Sequence, residues 1–307
     1  MRNPLIARLW TSVLALLLLV APLSATWSIV VVNTATGEVA VGTATCLANF
    51  DIQKGVPVLV PGFGAGASQS LLDTSAINRR TIRRGLLDGS TPAEILVKLQ
   101  MINGVQARQF GVVNLSDAPI TFTGNNVGAA KGGVAGVVGD LRYAIQGNVL
   151  TGDVVWLEAE KALVNTPGDL SQKLMAAMEA ARAMGGDGRC SCSPSAPTSC
   201  GAPPVNGFTK SAHCAFVGVA RIGDALGKCN STVGCADGDF FLELNVVGAV
   251  SDPDPVFVVQ DLYDAWRLGQ VGVPDQVESS VVPSARALPA VGVSKLTVEL
   301  ALADLEG

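Results

Sequence analysis

The first 25 residues constrain this chain more than any other stretch, because they decide where folding starts and in which redox environment. Arg2 and Arg8 give a positive start, Leu9 to Val20 an apolar run broken only by Trp10, Thr11 and Ser12, and Ala21-Pro22-Leu23-Ser24-Ala25 a small-residue cleavage site. These are the three parts of a secretory signal. The run is shorter than the roughly 20 residues that span a bilayer. Later apolar runs are interrupted by Gly, Pro or charge, and no Cys follows the leader to take a lipid. Cleavage after Ala25 therefore leaves Thr26 as the first residue of a chain that is secreted, periplasmic or held at the cell surface. The competing reading is an uncleaved anchor.

An exported chain folds where disulfides form. Cys190, Cys192, Cys200, Cys214, Cys229 and Cys235 cluster in one region while Cys46 stands apart. The six clustered residues read as up to three disulfides among 15 arrangements. A zinc site is the rival, weakened by the lack of a paired C-x-x-C knuckle and by a single histidine, His213. From Thr26 onward 282 residues carry 19 basic against 26 acidic side chains, and no basic stripe offers itself to nucleic acid. Half the chain is apolar and only 15% charged, which is globular composition with ample material for a core.

The β-rich runs Trp27 to Val32 and Glu38 to Thr45 flank a turn at 33–37 and predict a hairpin. Val56 to Val60 and Gly64 to Gln69 predict two more strands around Pro61-Gly62. The spacing of Ile77, Ile82, Leu86 and Leu87 predicts a helix ending near Gly89, and Thr91-Pro92-Ala93-Glu94 opens another. Gln109 to Asn114, Ile120 to Thr123 and Tyr143 to Leu150 read as strands. Val154 to Val164 and Leu170 to Met184 read as helices. Strands follow at Ala215 to Ala220 and Phe240 to Val246, and a helix runs from 252–255 to about Leu268. Such segregated runs indicate an α+β fold of layered sheets and helices, not alternating parallel α/β. After a linker over 269–279, residues 280–307 resemble the opening of an invasin-type immunoglobulin-like repeat, or form a short tail.

A terminal Thr26 carries a hydroxyl and an α-amine whose ordinary pKa is about 8. The amine can take the hydroxyl proton, so one residue supplies nucleophile and base for acyl transfer without histidine. His213, at the start of an apolar strand in the Cys-rich region, reads as structural.

Thr26-Trp27-Ser28-Ile29-Val30 and Thr36-Gly37-Glu38-Val39-Ala40-Val41 resemble the start of a bacterial family, domain of unknown function ten twenty-eight. The stretches 62–70, 143–148, 185–189 and 252–256 continue the resemblance in order over residues 26 to 268. The resemblance implies kinship with N-terminal-nucleophile (Ntn) hydrolases and a four-layer αββα sandwich, with the terminal Thr at the mouth of a cleft. Thr26 would be the nucleophile, and the Gln146-Gly147-Asn148 backbone a source of amides for substrate or oxyanion, against the ordinary reading of a local turn. Thr45 facing Thr26 across the hairpin, Gln69, and an Asp187–Arg189 charge pair complete the candidates on the substrate side; each also has a bland structural reading. Gly62, Gly64 and Gly66 space like a phosphate loop, but no Lys follows, and crowding within a sheet accounts for them better. The Cys- and Pro-rich segment at about 190–209 departs from the family as an insertion, most simply a stapled surface loop.

The sequence thus points to an exported amidohydrolase acting on a small-molecule or peptide amide, with no metal or organic cofactor, no nucleic-acid partner, no membrane span after cleavage, and assembly into a homo-oligomer open. The alternative is a secreted or cell-surface binding module that keeps the fold without turnover.

Overall fold

The structure, a computed structural model, describes residues 26–201, 203–283 and 298–306. Residues 1–25, read as a leader, and 284–297, within the stretch expected to be immunoglobulin-like or a tail, lie outside the described residues. In chain order the elements are β1 (Thr26–Asn33), β2 (Val39–Thr45), α1 (Ile52–Gly55), β3 (Pro57–Val60), β4 (Gly64–Ser70), α2 (Ile77–Leu87), α3 (Pro92–Gln100), β5 (Arg108–Asn114), β6 (Ile120–Thr123), β7 (Gly132–Val138) and β8 (Leu141–Asn148). They continue with α4 (Val154–Asn165), α5 (Leu170–Ala183), α6 (Gly188–Ser191), β9 (Cys214–Ala220), β10 (Ala225–Leu226), β11 (Gly238–Asp239), β12 (Leu242–Val247), α7 (Pro255–Leu268), β13 (Ser280–Pro283) and β14 (Val298–Ala301).

Local chemistry explains where the helices begin. Thr91 accepts from the Glu94 amide while the Glu94 carboxylate accepts from the Thr91 amide, and Pro92 fills the first helical position. Asp169 and Gln172 make the same reciprocal pair at α5. Each such box satisfies two amides that a helix start leaves without partners.

The strands form a six-stranded antiparallel sheet in the order β12-β9-β2-β1-β8-β7 and a four-stranded antiparallel sheet in the order β3-β4-β5-β6. β1 lies inside the larger sheet and is buried on both faces. Trp27, Ile29 and Val31 pack with Leu174, Met178 and Val259 of α5 and α7. Val30 and Val32 point the other way, to Leu59, Ala65, Ala67 and Val113 of the smaller sheet. The far face of that smaller sheet packs Val58, Phe110 and Val112 against Ile82, Leu86 and Ile95 of α2 and α3. The fold is therefore mixed α and β, with antiparallel sheets and seven helices among the described residues.

The glycines of β4 serve this packing. A β-carbon on Gly64 would come within 2.8 Å of Leu86, and one on Gly66 within 2.7 Å of Ile82. The same β-carbons would lie 2.3 Å from the Val113 carbonyl oxygen and 3.2 Å from that of Gly111, the crowding within a sheet that the sequence indicates; the approach of α2 adds to it.

Two expectations need correcting. β7 was not foreseen: its Gly132-Gly133-Val134-Ala135-Gly136 run is poor in strand formers and lies half exposed at the sheet edge, where it pairs with β8. Nor does Cys46 stand alone. The disulfides are Cys46–Cys190, Cys192–Cys200 and Cys229–Cys235, while Cys214 is buried and free. The fold carries the end of β2 to α6, so Cys46 meets a partner 144 residues away. Cys214 starts β9 with its side chain in the core between the sheets.

Candidate functional site

Strand alternation places Thr26, Ser28, Thr43, Thr45, Gln146 and Asn148 on the face of the larger sheet that looks onto the smaller one. Register does the rest: Thr26 lies opposite Thr45 on one side and Asn148 on the other, and Ser28 opposite Thr43 and Gln146. From the smaller sheet Gln69 and Gln109, themselves opposite each other, project into the same space. All eight residues are buried, none exposing more than 1%.

The Thr26 and Thr45 hydroxyls are 3.4 Å apart. The Gln69 carboxamide donates to the Thr26 carbonyl at 2.9 Å and to Gln109 Oε1 at 2.8 Å, and reaches the Gln146 carbonyl at 3.5 Å. The Asn148 carboxamide donates to Gln109 Oε1 at 3.1 Å and lies 3.4 Å from the Thr26 carbonyl. Gln109 in turn donates toward Thr123, the Gly132 carbonyl and the Gly147 carbonyl, at 2.8, 3.0 and 2.8 Å. The Ser28 hydroxyl meets Thr43 Oγ1 at 2.9 Å and also Gln69 Oε1, and Thr43 donates to the Trp27 carbonyl at 2.9 Å. The Thr26 carbonyl is thereby held by amides from two other strands, β4 and β8, and Gln109 of β5 accepts from both.

Of the residues singled out in the sequence, Thr26, Thr45, Gln69 and Asn148 come together in this network. Gln146 joins it through its carbonyl, whereas its carboxamide has no partner and packs on Gly111, where a β-carbon would lie 2.2 Å from Gln146 Oε1. Gly147 contributes only its carbonyl, since its α-carbon faces Leu150. Asp187 and Arg189 do form a charge pair, at 2.8 Å, but one step away. Asp187 accepts from the Cys46 amide at 2.8 Å, so the pair fixes the chain just beyond Thr45. Sequence reasoning missed Gln109, Ser28 and Thr43. The available signal was a polar residue at an inward position of a strand otherwise apolar on that face.

His213 donates its amide to the Thr45 carbonyl at 2.8 Å, and its Nδ1 lies 3.2 Å from the Lys210 ammonium. Burial, and then Lys210, hold its pKa below the ordinary imidazole value. A ring nitrogen of His213 and the sulfurs of Cys46 and Cys190 lie within 4.8 Å of one another, but the sulfurs are bonded together and offer no thiolates. At the opposite end of β1, a polar cavity of about 470 Å³ is lined by Asn33, Glu38, Asp169, Arg221, Arg267 and Glu306. Its arginines are already paired, Arg221 with Glu38 and Asp275, Arg267 with Asp169 and Glu306. Among the described residues no helix is long and apolar enough to cross a membrane.

A family model described as a family of unknown function, DUF1028, matches residues 26–197, more than half of the chain. The structure is similar to the crystal structure of a protein from Silicibacter pomeroyi assigned to the same family, with a TM-score of 0.56 and 19% identity, over 79% of this chain and 89% of that one. At that identity the likeness speaks for the fold alone. No curated protein matches the chain.

Proposed function

The chain belongs to the DUF1028 family, whose function is unknown, and from that premise we propose that it is an exported amidohydrolase of N-terminal-nucleophile type with Thr26 as nucleophile. The observation that carries this reading is a coincidence at one residue. The cleavage site read from the sequence ends at Ala25, and the family match begins at Thr26. In the uncut chain the Thr26 nitrogen is a peptide nitrogen with no basic lone pair, so the precursor would be inert. Cleavage frees an amine that can take the proton from the hydroxyl of the same residue.

The catalytic sequence then follows. Thr26 Oγ1 attacks the amide carbonyl, its proton passes to the amine and on to the leaving nitrogen, and water resolves the acyl-enzyme. Thr45 Oγ1 is the neighbouring hydroxyl, and Asn148, opposite Thr26 in register, supplies a side-chain amide to meet a developing oxyanion. Gln69 and Gln109 hold the strand end in place. The three cores support a four-layer αββα sandwich over 26–268, and the three disulfides support export to an oxidising compartment.

A second reading, a binding module without turnover, is favoured by the burial of Thr26 in the uncut chain, where it exposes 1%. The test is turnover of an amide library by cleaved wild type and Thr26→Ala. The nucleophile reading expects loss to background, on the order of 10⁴-fold, with intact mass showing Thr26 as the first residue. Ligand retention by both proteins with no turnover by either would give the binding reading the lead.

A further inference from the structure

On the far side of β4 and β5 from Thr26 lies a second buried polar cluster that the proposed chemistry does not use. Ser70 ends β4 and lies opposite Arg108 at the start of β5. Asp73 follows in the connecting loop, and Asn78 and Arg79 stand in the first turn of α2. Ser70 and Asn78 are fully buried, and Arg79, Asp73 and Arg108 expose 3%, 6% and 9%. Leu86 sits over Gly64 and Ile82 over Gly66, so the next step along the same helix–strand contact sets Asn78 above the Ser68–Ser70 end of β4.

The cluster has more charge and more donors than it can satisfy itself. Two guanidinium groups face one carboxylate, leaving a net single positive charge in the interior. Burial pushes both arginines below their usual range; Asp73 opposes this for each, and Arg108 adds to it for Arg79. Arg79 is held by the Gly55 and Asp73 carbonyls, Arg108 by the Leu71 carbonyl, and Asp73 accepts from the Asn78 amide. Yet Arg79 Nε, Arg108 Nε, Asn78 Nδ2 and Ser70 Oγ are donors without a partner, alongside the acceptors Asp73 Oδ1 and Asn78 Oδ1. These are six of the fourteen such atoms among the described residues. Buried polar groups of native proteins are almost always matched, so a concentration of this kind marks a place where something else completes the set. The helix start adds to the field: α2 is capped by Ala76, which has no side-chain oxygen, and the Asn78 amide turns to Asp73 instead.

We propose that Arg79, Arg108, Asn78, Ser70 and the start of α2 bind one small inorganic monoanion, of the halide class. One negative charge balances the net charge of the cluster. A halide accepts from several N–H and O–H donors without needing a fixed geometry, and a site enclosed by side chains this deeply buried admits only a small ion. The ion would secure the ends of β4 and β5, one residue from Gln69 and Gln109. The site stands on its own geometry, whatever Thr26 does.

The experiment is thermal unfolding of the purified chain at constant ionic strength, exchanging sodium gluconate for sodium chloride or bromide, with crystals grown in bromide. Wild type is expected to show a saturable rise in Tm of about 5 °C at roughly 100-fold excess over the dissociation constant. Bromide anomalous density should stand within hydrogen-bonding distance of Arg79 Nε and Arg108 Nε. Arg108→Gln should lose the halide-dependent part of the rise. A wild-type Tm indifferent to the exchange, a rise that survives in Arg108→Gln, or bromide density found only elsewhere would each overturn the site. The wild-type crystals decide the matter if that variant does not fold.

Discussion

Between the two sheets, the same strands build two unlike environments. From Val30 onward the facing side chains are Val30, Val32, Val39, Val41, Ala65, Ala67, Val113 and Ala144, all fully buried. Before it stand Thr26, Ser28, Thr43, Thr45, Gln69, Gln109, Gln146 and Asn148, buried as deeply. The valine half holds the sheets together at about 25 cal/mol per Å² of apolar surface removed from water and asks for no specific partner. The amide half gains little in that way, and every N–H and oxygen in it must be matched or costs about 1–3 kcal/mol. On the helix-facing side of β1 no such break occurs, since Trp27, Ile29 and Val31 continue one apolar stripe. The polar half is thus a local departure from what would stabilise the sandwich best, and it coincides with the one residue whose chemistry the leader would release.

The sharpest way to break this contrast is to put an amide in the wrong half. Val30→Asn is expected to lose about 3–5 kcal/mol, combining lost apolar transfer with an unmatched buried amide. Denaturant unfolding reads it as a lowered midpoint at unchanged slope. A loss below about 1 kcal/mol would mean that the apolar half tolerates polar groups and that the two halves do not differ in kind. Next in size is Gln109→Leu, which removes the acceptor shared by Gln69 and Asn148. We expect a loss of about 1–3 kcal/mol. If Gln109 positions Thr26 through those two amides, kcat should fall by more than KM rises, whereas a purely structural role would leave the kinetics of the folded fraction unchanged.

Much of the scaffold was legible because it is local. Ala and Leu periodicity gave α5, Thr91 with Glu94 announced α3, and the turn at 33–37 joined β1 to β2. The crowding of Gly64 and Gly66 within the sheet was readable from the company they keep in a strand, whereas the approach of α2 was not. The candidate site was legible in part: Thr26 from the leader, and Thr45 from its position across a hairpin. Gln109 was not, because its role exists only once β5 pairs with β4 and the two sheets stack, and nothing near it in sequence records that. The Cys46–Cys190 bond failed for the same reason, since it spans elements that meet only in the finished fold. β7 was hidden because an exposed edge strand needs little side-chain pattern; its backbone pairing with β8 does the work.

The smallest effect separates a functional polar half from an accidental one. Both polar atoms of the Gln146 carboxamide lack a partner although the residue is fully buried. Such a group costs stability, so Gln146→Met, which keeps the length of the side chain and removes the amide, is expected to stabilise the protein by about 1 kcal/mol. Thermal unfolding would register this as a rise of roughly 2–4 °C. Sites that do work hold groups that folding alone would discard, so the same substitution should weaken turnover or ligand binding if the amide meets a substrate. A gain in stability with function intact would remove Gln146 from the site and confine it to Thr26, Thr45, Gln69, Asn148 and their hub at Gln109. A loss of stability would mean that the amide already has a partner within the folded chain, and Asn148 Oδ1 would then be the atom of the polar half left in reserve for a ligand.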